Sequence, residues 1–373
     1  MAGHLVPVDF RVNPAKVSNP VERKTLLQDL LPIIETFSGP LTETSVCEVP
    51  GGNHVVLCCS DTMTLTVKLY FNGLVTANVE YYTDQVNEHK IVNDDGRRME
   101  KQIREKFDCS VAKVLPALKR APLLNPYFTT SDDRIIEYDV DKLVCEERTD
   151  FQKVEIYHTK SFGNMLVLDD LQNLAESDLP YTHGLMNKGN EKYEEKEILI
   201  LGGGDGALLW ELLKEKPKFV TMIDIDEAVM RSCRKYLRSA CGTCLDNYSG
   251  DNYKIIVGDA ISHMEDMIKG ERRFDYVFAD LTDVPISPSP RGELWDFMRK
   301  VMNLGTKIMK SDTGKYLTHA TGIQSESALK MFEEQMNNLE TPVNFTRTSE
   351  YIPSFMENGA SINSLQRFNN RST

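Results

Sequence analysis

The sequence contains no apolar run close to the roughly 18 residues that a membrane-spanning helix needs, so we expect no transmembrane segment. Its first residues lack a cationic stretch followed by an apolar one, and we therefore expect no secretory signal peptide. The eight cysteines are scattered over 373 residues, and without a secretory context they predict free thiols rather than disulfides. Together these absences favour a cytoplasmic protein.

Acidic residues outnumber basic ones, 56 to 43. The formal net charge of −13 argues against a nucleic-acid partner, because binding a nucleic-acid backbone needs clustered lysine and arginine residues. An acidic balance can simply maintain solubility, or it can attract a polycation, and composition alone does not separate the two. The length and the apolar content of 41% allow two or three globular domains with proper cores.

Changes of pattern along the chain predict three domains. Residues 1–118 combine a helical spacing with strands that alternate on both sides of Asn72 and Gly73, a dipeptide typical of tight hairpins, and they predict an α+β domain. Residues 119–180 start with a proline-bearing connector and predict a small antiparallel β domain. Residues 181–373 repeat strand, loop and helix, which predicts a Rossmann-like, doubly wound parallel α/β sheet.

A glycine turn follows the first strand of that third domain. Gly202, Gly204 and Ala207 match the dinucleotide-binding fingerprint, and Asp224 lies at about the ribose-binding distance of ~20 residues. Asp205, however, would repel a phosphate placed at this turn. A nucleoside that carries a positive charge and no phosphate, such as an adenosyl sulfonium, therefore fits better than NAD.

Acidic residues follow all four successive strands of the predicted sheet, as Asp205, Asp224, Asp259 and Asp280. Ligands of open α/β sheets bind at this carboxyl edge. A single such acid can be a helix cap or a solvated loop residue, but four at one edge indicate a cationic ligand. Asp280 ends an apolar strand, and a second acid, Asp283, follows in a proline-rich loop.

Beyond these signals, the chain resembles the polyamine aminopropyltransferases from about Asp133 to Glu357. The stretches that carry the resemblance are GNMLVLDDLQNLAESDLPYTHGLM, EILILGGGDGALLWE, VTMIDID, FDYVFADLTDVPISPSP and YIPSFME. The segment LTDVPIS and the separate N-terminal domain are similar to the spermine synthases within this family. The resemblance implies transfer of an aminopropyl group from decarboxylated S-adenosylmethionine (AdoMet), a co-substrate, to spermidine, giving spermine and 5′-methylthioadenosine without a metal.

The resemblance also implies roles for individual residues. Around the donor it implies Gln152 and Asp224 at the ribose, Asp259 and Ala260 at the adenine, Asp205 at the amine, and Gly202 and Gly204 where the backbone approaches the ligand. Around the acceptor it implies Asp178, Tyr181 and Glu357 as polyamine ligands, with Asp280 as the catalytic acid–base group. Each has a plainer alternative: a helix cap for Asp178, a core position for Tyr181, and a surface position for Glu357 or Gln152.

Three positions depart from the family pattern. Asp224 stands where the family more often has Glu, and Phe355 replaces a tyrosine in the acceptor pocket. Asp283 restores an acid found in spermidine synthases, so the resemblance does not decide between spermidine and putrescine as the acceptor. The polar tail after Glu357 replaces an apolar strand, and we expect it to be disordered, leaving the sheet without its last strand.

The remaining expectations concern assembly and lesser signals. The N-terminal domain resembles the decarboxylase-like dimerisation domain of spermine synthases, which implies a homodimer paired through the exposed hairpin edge. Cys241 and Cys244 are predicted to be structural thiols, and His183 to be the one histidine near the pocket. Spermidine synthase, an AdoMet-dependent methyltransferase and an inactive polyamine-binding homologue remain as alternatives.

Overall fold

A computed structural model describes residues 2–49, 53–83, 90–130, 134–281, 291–323 and 325–366. The chain forms two compact units, Met1–Asn125 and Pro126–Thr373. The small β-sheet and the large α/β sheet expected from the sequence therefore lie in one unit, and the connector is divided between the two.

The first unit contains a seven-stranded sheet in the order β2-β3-β4-β5-β1-β6, with β7 also paired to β1. Its strands are β1 (Ala2–Arg11), β2 (Thr42–Val49), β3 (Asn53–Cys59), β4 (Met63–Leu69), β5 (Leu74–Thr83), β6 (Ala112–Val114) and β7 (Leu118–Arg120). Its helices are α1 (Ala15–Ser18), α2 (Pro20–Ser38) and α3 (Asn93–Phe107). Alternate residues of the strands and one face of α2 and α3 form a single apolar core.

The hairpin predicted around Asn72 and Gly73 is confirmed, because β4 pairs antiparallel with β5 and Gly73 has φ +84°. The expectation that this hairpin offers an exposed edge is wrong. β4 pairs with β3 and β5 pairs with β1, so both strands are internal. The first strand, β1, was not predicted, and it fills the position beside β5 that would have been the edge. The edges are β2 on one side and β6 with β7 on the other.

The second unit begins with a six-stranded sheet in the order β10-β11-β12-β13-β8-β9. Its strands are β8 (Tyr127–Thr129), β9 (Ile135–Glu137), β10 (Val140–Arg148), β11 (Lys153–Thr159), β12 (Gly163–Leu168) and β13 (Leu171–Ala175). All pairs are antiparallel except β13 with β8. An apolar cluster that includes Phe128, Tyr138 and Met165 lies against this sheet.

The large sheet has eight strands in the order β16-β17-β15-β14-β18-β19-β21-β20. The strands are β14 (Glu197–Gly202), β15 (Phe219–Asp224), β16 (Ser249–Gly250), β17 (Tyr253–Val257), β18 (Tyr276–Asp280), β19 (Lys315–Gly322), β20 (Val343–Ile352) and β21 (Glu357–Gln366). The helices are α4 (Leu179–Leu185), α5 (Ala207–Lys214), α6 (Glu227–Tyr236), α7 (Arg238–Cys241), α8 (Ala260–Lys269), α9 (Glu293–Ile308) and α10 (Glu326–Asn337). The predicted parallel arrangement is confirmed for β17, β15, β14, β18 and β19.

Residues 358–366 of the polar tail belong to the strand β21, contrary to the prediction of disorder. β21 lies between β19 and β20 and pairs antiparallel with both. Ala360 and Ile362 are buried, Ser364 Oγ donates to the carbonyl oxygen of Tyr316, and Asn363 Nδ2 donates to Glu191 Oε1 at 2.9 Å. These hydrogen bonds let an internal strand accommodate polar side chains, and Asn363 Oδ1 is the exception, buried without a hydrogen-bond partner among the described residues.

In the part of the chain that the structure describes, no helix is both long and apolar enough to cross a membrane.

Candidate active site

The glycine turn after β14 brings three strand ends together. Gly202 pairs with Asp280 across β14 and β18, and it has φ +81°. A Cβ atom on Gly202 would lie 2.0 Å from the carbonyl oxygen of Asp280, and one on Gly204 would lie 2.8 Å from Asp224 Oδ2. Gly202 is therefore required both by the close approach of the Asp280 backbone and by its own backbone conformation, whereas a side chain at Gly204 would displace the Asp224 carboxylate.

A cleft with about 1180 Å³ of empty space, part of it open to solvent, lies over this edge of the sheet. Its lining includes Asp205, Asp224 and Asp280 together with Gln152 and Tyr181. Among the described residues that line it there is no lysine or arginine. The cleft is therefore large enough for a nucleoside-sized ligand, and its acidic lining suits a cationic one.

Hydrogen bonds at the end of β15 fix the side chains of Asp224 and Gln152. The backbone N–H of Asp226 donates to Asp224 Oδ1 at 2.8 Å. Gln152 Nε2 donates to Asp226 Oδ2 at 3.0 Å, and Thr149 Oγ1 donates to the same oxygen at 2.9 Å. The structure thus brings Gln152 next to Asp224 through Asp226, a residue that sequence analysis did not single out.

The carboxylates of the cleft repel one another and are poorly hydrated. Burial raises the pKa of Asp224 to about 6, only partly offset by hydrogen bonds from the N–H groups of Asp226 and Gly204, and the neighbouring Asp205 raises it further. Burial also raises the pKa of Asp205, against a hydrogen bond from Ala207 N–H at 2.7 Å. Without a cation in the cleft, these charges destabilise the folded protein.

We expect Asp224→Asn to stabilise the protein while weakening nucleoside binding. The pKa of Asp224 rises from 3.8 to about 6 on folding, so the folded protein keeps a proton that the unfolded chain releases in this pH window, and the stability contributed by this group falls as pH rises through it. Above that window the cost is roughly 3 kcal/mol. Loss of part of the hydrogen bonding leaves an expected gain of about 1–2 kcal/mol in unfolding free energy at pH 7.5.

Calorimetric unfolding of the variant at pH 7.5 and pH 5 tests this expectation, with titration of 5′-methylthioadenosine as the second measurement. The gain should shrink at pH 5, and nucleoside affinity at pH 7.5 should fall at least about tenfold, because the amide replaces one of the two acceptor oxygens with an NH₂ donor and removes the negative charge. Asp312→Asn, at an exposed turn, controls for loss of one negative charge. A variant that is less stable than the wild type at both pH values would contradict the electrostatic account.

The third strand end is occupied by a helix cap. Asp259 precedes α8 and accepts hydrogen bonds from Ile261 N–H at 3.0 Å and from Ser262 N–H and Oγ at 3.2 and 2.7 Å. Its neighbour Ala260 is buried at the first position of the helix. Asp259 therefore shares the edge of the sheet with the other acids, and its side chain in this structure acts as a helix cap.

A second cavity, with about 650 Å³ of empty space, adjoins the cleft at Tyr181, which lines both. Its wall includes Glu357, whose side chain is 8% exposed and accepts from Arg134 through Oε1 at 2.5 Å. Oε2 has no hydrogen-bond partner among the described residues, and the absence of a side chain at Gly322 leaves room for it. A buried oxygen of this kind needs a donor, and an ammonium group would supply one.

Asp178 is buried and bonds to the turn that precedes Phe355. It accepts from the N–H groups of Ala175 and Ser354 at 2.7 and 2.9 Å, and from the Ser354 hydroxyl at 2.5 Å. It makes no side-chain cap to α4. Burial raises the pKa of Asp178, and these hydrogen bonds partly oppose the effect. The side chain therefore holds the turn that carries Phe355 and Glu357 in this structure.

Aromatic contacts complete the junction between the two cavities. The Tyr181 ring stacks on His319 with centroids 3.6 Å apart and packs edge-on against Phe355 at 5.4 Å. His319 Nε2 lies 4.0 Å from Asp280 Oδ1. The expectation that only His183 among the histidines lies near the pocket is wrong, because His319 lines the second cavity. His183 lies on α4 with its side chain 30% exposed, and its ring bonds to Glu211 at 2.8 Å.

Two groups of predicted residues remain. Asp283 and its proline-rich loop lie outside the described residues. Cys241 and Cys244 are buried free thiols, and no group of His, Cys, Asp and Glu side chains in the described ranges is arranged to hold a metal ion. Sequence analysis missed His319, Arg134 and Ser354, and the one available signal was a histidine within the apolar strand β19.

Comparison with protein families gives two matches in the second unit. Residues 179–371 match the spermine/spermidine synthase domain, and residues 127–176 match the spermidine synthase tetramerisation domain. A polyamine aminopropyltransferase of Thioalkalivibrio sulfidiphilus is 33% identical over 169 residues, 44% of this chain and 57% of that protein. Polyamine aminopropyltransferase 1 of Hyperthermus butylicus is 29% identical over 227 residues, 59% of this chain and 73% of that protein.

The matched region therefore spans just over half the length of the first of these relatives. Among solved structures, a spermidine synthase in complex with the transition state analogue AdoDATO superposes with a TM-score of 0.54 and 16% identity, covering 64% of this chain and 79% of that one. The spermidine synthase of Thermotoga maritima gives a TM-score of 0.51 at the same identity, covering 64% and 78%. These similarities confirm the mixed α/β fold.

Proposed function

Because the chain belongs to the spermine/spermidine synthase family, we propose that it transfers the aminopropyl group of decarboxylated AdoMet to spermidine, giving spermine and 5′-methylthioadenosine. One observation carries the proposal. The cleft at the carboxyl edge is lined by Asp205, Asp224 and Asp280 without a lysine or arginine among its described residues, and it adjoins a cavity with a buried, half-satisfied Glu357. This arrangement suits a cationic donor beside a cationic acceptor.

The position of Asp205 supports the choice of donor. Its carboxylate lies at the N-terminal end of α5, in the turn where a nucleoside tail would enter. AdoMet carries a carboxylate on that tail, and Asp205 would repel it, whereas decarboxylated AdoMet presents an ammonium there. A counter-charge beside a buried carboxylate also removes the penalty that raises its pKa. Asp205 therefore selects the decarboxylated donor.

The chemistry requires an unprotonated amine. An aliphatic amine has a pKa of about 10, so freeing its lone pair at neutral pH costs about 4 kcal/mol. The nitrogen attacks the donor carbon next to sulfur, the new N–C bond forms as the C–S bond breaks, and the electron pair leaves on sulfur as a neutral thioether. Asp280 accepts the proton that the nitrogen sheds and releases it to solvent. Its side chain is 14% exposed, which keeps the reacting atoms largely shielded from water.

Glu357 supports a long acceptor. If the reacting nitrogen of the acceptor lies at Asp280, the rest of the acceptor extends past Tyr181 into the second cavity. There Glu357 Oε2 has no hydrogen-bond donor among the described residues. Spermidine has further ammonium groups along its chain to reach that oxygen. Arg134 already neutralises part of the Glu357 charge, so one additional ammonium, rather than several, fits this end of the cavity.

A product assay tests the proposed function. The protein is incubated with decarboxylated AdoMet and either spermidine or putrescine, and products are identified by mass spectrometry, with AdoMet as the matched donor control. Spermine from spermidine, and little product from putrescine or from AdoMet, is the expected result. Formation of spermidine from putrescine would mean that putrescine, rather than spermidine, is the acceptor. Methylated product from AdoMet would contradict the role of Asp205. Nucleoside binding without any transfer would favour the alternative of an inactive, polyamine-binding homologue.

Assembly and location are proposals as well. The homodimer through the first unit competes with a tetramer, since the model matching residues 127–176 describes a tetramerisation domain. Sedimentation of the full chain and of a variant with charges introduced on β2, an exposed edge strand, distinguishes an interface at that edge from one elsewhere. Immunolocalisation tests the cytoplasmic expectation.

A further inference from the structure

His319 lies between the proposed base, Asp280, and the second cavity, whose wall includes Glu357 and which is called the acceptor cavity below. It belongs to β19, which is the parallel neighbour of β18, with Thr318 in register with Ala279. Its ring lines the acceptor cavity and also a smaller apolar cavity that includes Phe297 and Val301. One face of the ring is covered by Tyr181 at 3.6 Å between centroids. The imidazole therefore has a fixed plane, with its edge directed toward the end of β18.

The two ring nitrogens have different surroundings. Nδ1 lies 3.4 Å from Ser361 Oγ, whereas Nε2 is buried and has no hydrogen-bond partner among the described residues. Burial lowers the pKa of His319 to about 3, so the ring is neutral at physiological pH. The tautomer that directs Nδ1–H toward Ser361 leaves Nε2 as an acceptor that lacks a donor.

His319 Nε2 and Asp280 Oδ1 lie close enough together for one nitrogen atom to contact both. The 4.0 Å between Nε2 and Asp280 Oδ1 is too long for a direct hydrogen bond. A nitrogen placed about 2.8 Å from each atom would subtend an angle of about 90°, close to the tetrahedral geometry of an amine. A single nitrogen that carries two N–H bonds can donate to both acceptors at once. A hydroxyl group and a neutral secondary amine each have one hydrogen to donate.

We propose that His319 Nε2 and Asp280 Oδ1 together hold the two N–H bonds of the acceptor's attacking primary amine, so that its lone pair faces the donor carbon. This inference rests on the proposed function. After attack the nitrogen carries both hydrogens and a positive charge, and Asp280 removes one proton while the other N–H stays on His319. His319 thereby directs transfer to a terminal primary amine, which gives a linear product rather than a branched one.

Three variants test the proposal. His319→Leu keeps bulk and removes the acceptor nitrogen, His319→Gln restores an acceptor through its amide oxygen, and His158→Leu changes an exposed histidine outside the site. We expect the leucine variant to lose about 10- to 100-fold in kcat/KM for spermidine, the range for a hydrogen bond to a charged group. Affinity for 5′-methylthioadenosine should stay within twofold. The glutamine variant should recover at least half of the loss on a logarithmic scale.

Acceptor selectivity provides the second measurement and uses the wild type as well. A spermidine analogue methylated on its terminal nitrogens has only one N–H per neutral end, so the wild type should use it at least tenfold less efficiently than spermidine, and the leucine variant should discriminate less. Equal use of both acceptors by the wild type would overturn the proposal, whether or not the leucine variant folds. So would a folded leucine variant with unchanged kcat/KM, or a glutamine variant as impaired as the leucine one.

Failure of the proposed function has a different signature. A wild type that forms no 5′-methylthioadenosine with any amine would refute both the transfer reaction and the role of His319. A wild type that transfers normally while the variants do so equally well would refute the role of His319 alone.

Discussion

Asp280→Asn is expected to lower turnover about a thousandfold while leaving the affinity for 5′-methylthioadenosine within twofold of the wild type. The carboxylate ends β18, in contact with the cleft, and an amide of the same shape cannot take the proton from the attacking amine. General-base assistance of this kind is worth about 10²–10⁴ in rate. Single-turnover kinetics with saturating donor isolates the chemical step from product release, and isothermal titration with the nucleoside measures binding.

The pH dependence of the variant sharpens this test. Without a base, turnover should follow the fraction of acceptor that is already unprotonated, and it should rise about tenfold per pH unit between pH 7 and pH 9, below the amine pKa of about 10. The wild type also needs the unprotonated amine, so its turnover should rise in parallel, and the ratio of the two rates should stay near a thousandfold at each pH. Asp312→Asn, at an exposed turn, serves as the charge-matched control. A variant that keeps more than a tenth of wild-type turnover at pH 7.5 would refute the base assignment, and parallel loss of nucleoside affinity would indicate a binding role.

Gly202→Ala is expected to cost the second unit at least about 4 kcal/mol of unfolding free energy, or to prevent its folding. Gly202 has φ +81°, and a Cβ atom would lie 2.0 Å from the carbonyl oxygen of Asp280 and 2.8 Å from the carbonyl carbon. Neither atom can move away cheaply, because both belong to β18, which pairs with β14 and β19. Calorimetric unfolding measures the loss. The transition of the second unit is identified as the one whose midpoint temperature rises when 5′-methylthioadenosine is bound.

The chain offers a matched control for this substitution. Gly189 has φ +91° and nothing within 4 Å of its added Cβ, so Gly189→Ala carries the conformational cost alone, about 1 kcal/mol. The difference between the two variants measures the collision at the glycine turn. Equal losses would mean that the turn relaxes, and the close approach of β14 to Asp280 would then not explain the glycine.

Local sequence patterns predicted much of the fold. The Asn72-Gly73 hairpin, the glycine turn and the parallel strands β14, β15, β17, β18 and β19 follow from periodicity and turn chemistry, which depend on a few neighbouring residues. The acids at the strand ends were also predictable, since parallel strands place their carboxyl ends at one edge. Asp205, Asp224 and Asp280 accordingly line one cleft.

The tail shows where composition misled. Residues after Glu357 are polar, and polarity predicted disorder, but β21 lies inside the sheet. Its polar groups find partners on residues far away in the chain, such as Tyr316 and Glu191. A polar side chain is unfavourable in a core only when it lacks a hydrogen bond, and the sequence of the strand does not reveal whether its neighbours supply one.

The sequence by itself determined the family resemblance, the α/β sheet and the acidic edge, because each depends on residues close together in the chain. Tertiary structure alone decided which distant side chains meet. It joins Arg134 to Glu357 across 223 positions and Asp178 to Ser354 across 176, and it sets His319 beside Asp280 through the pairing of β18 with β19. Contacts of this kind are fixed by packing and strand order, for which periodicity carries no signal.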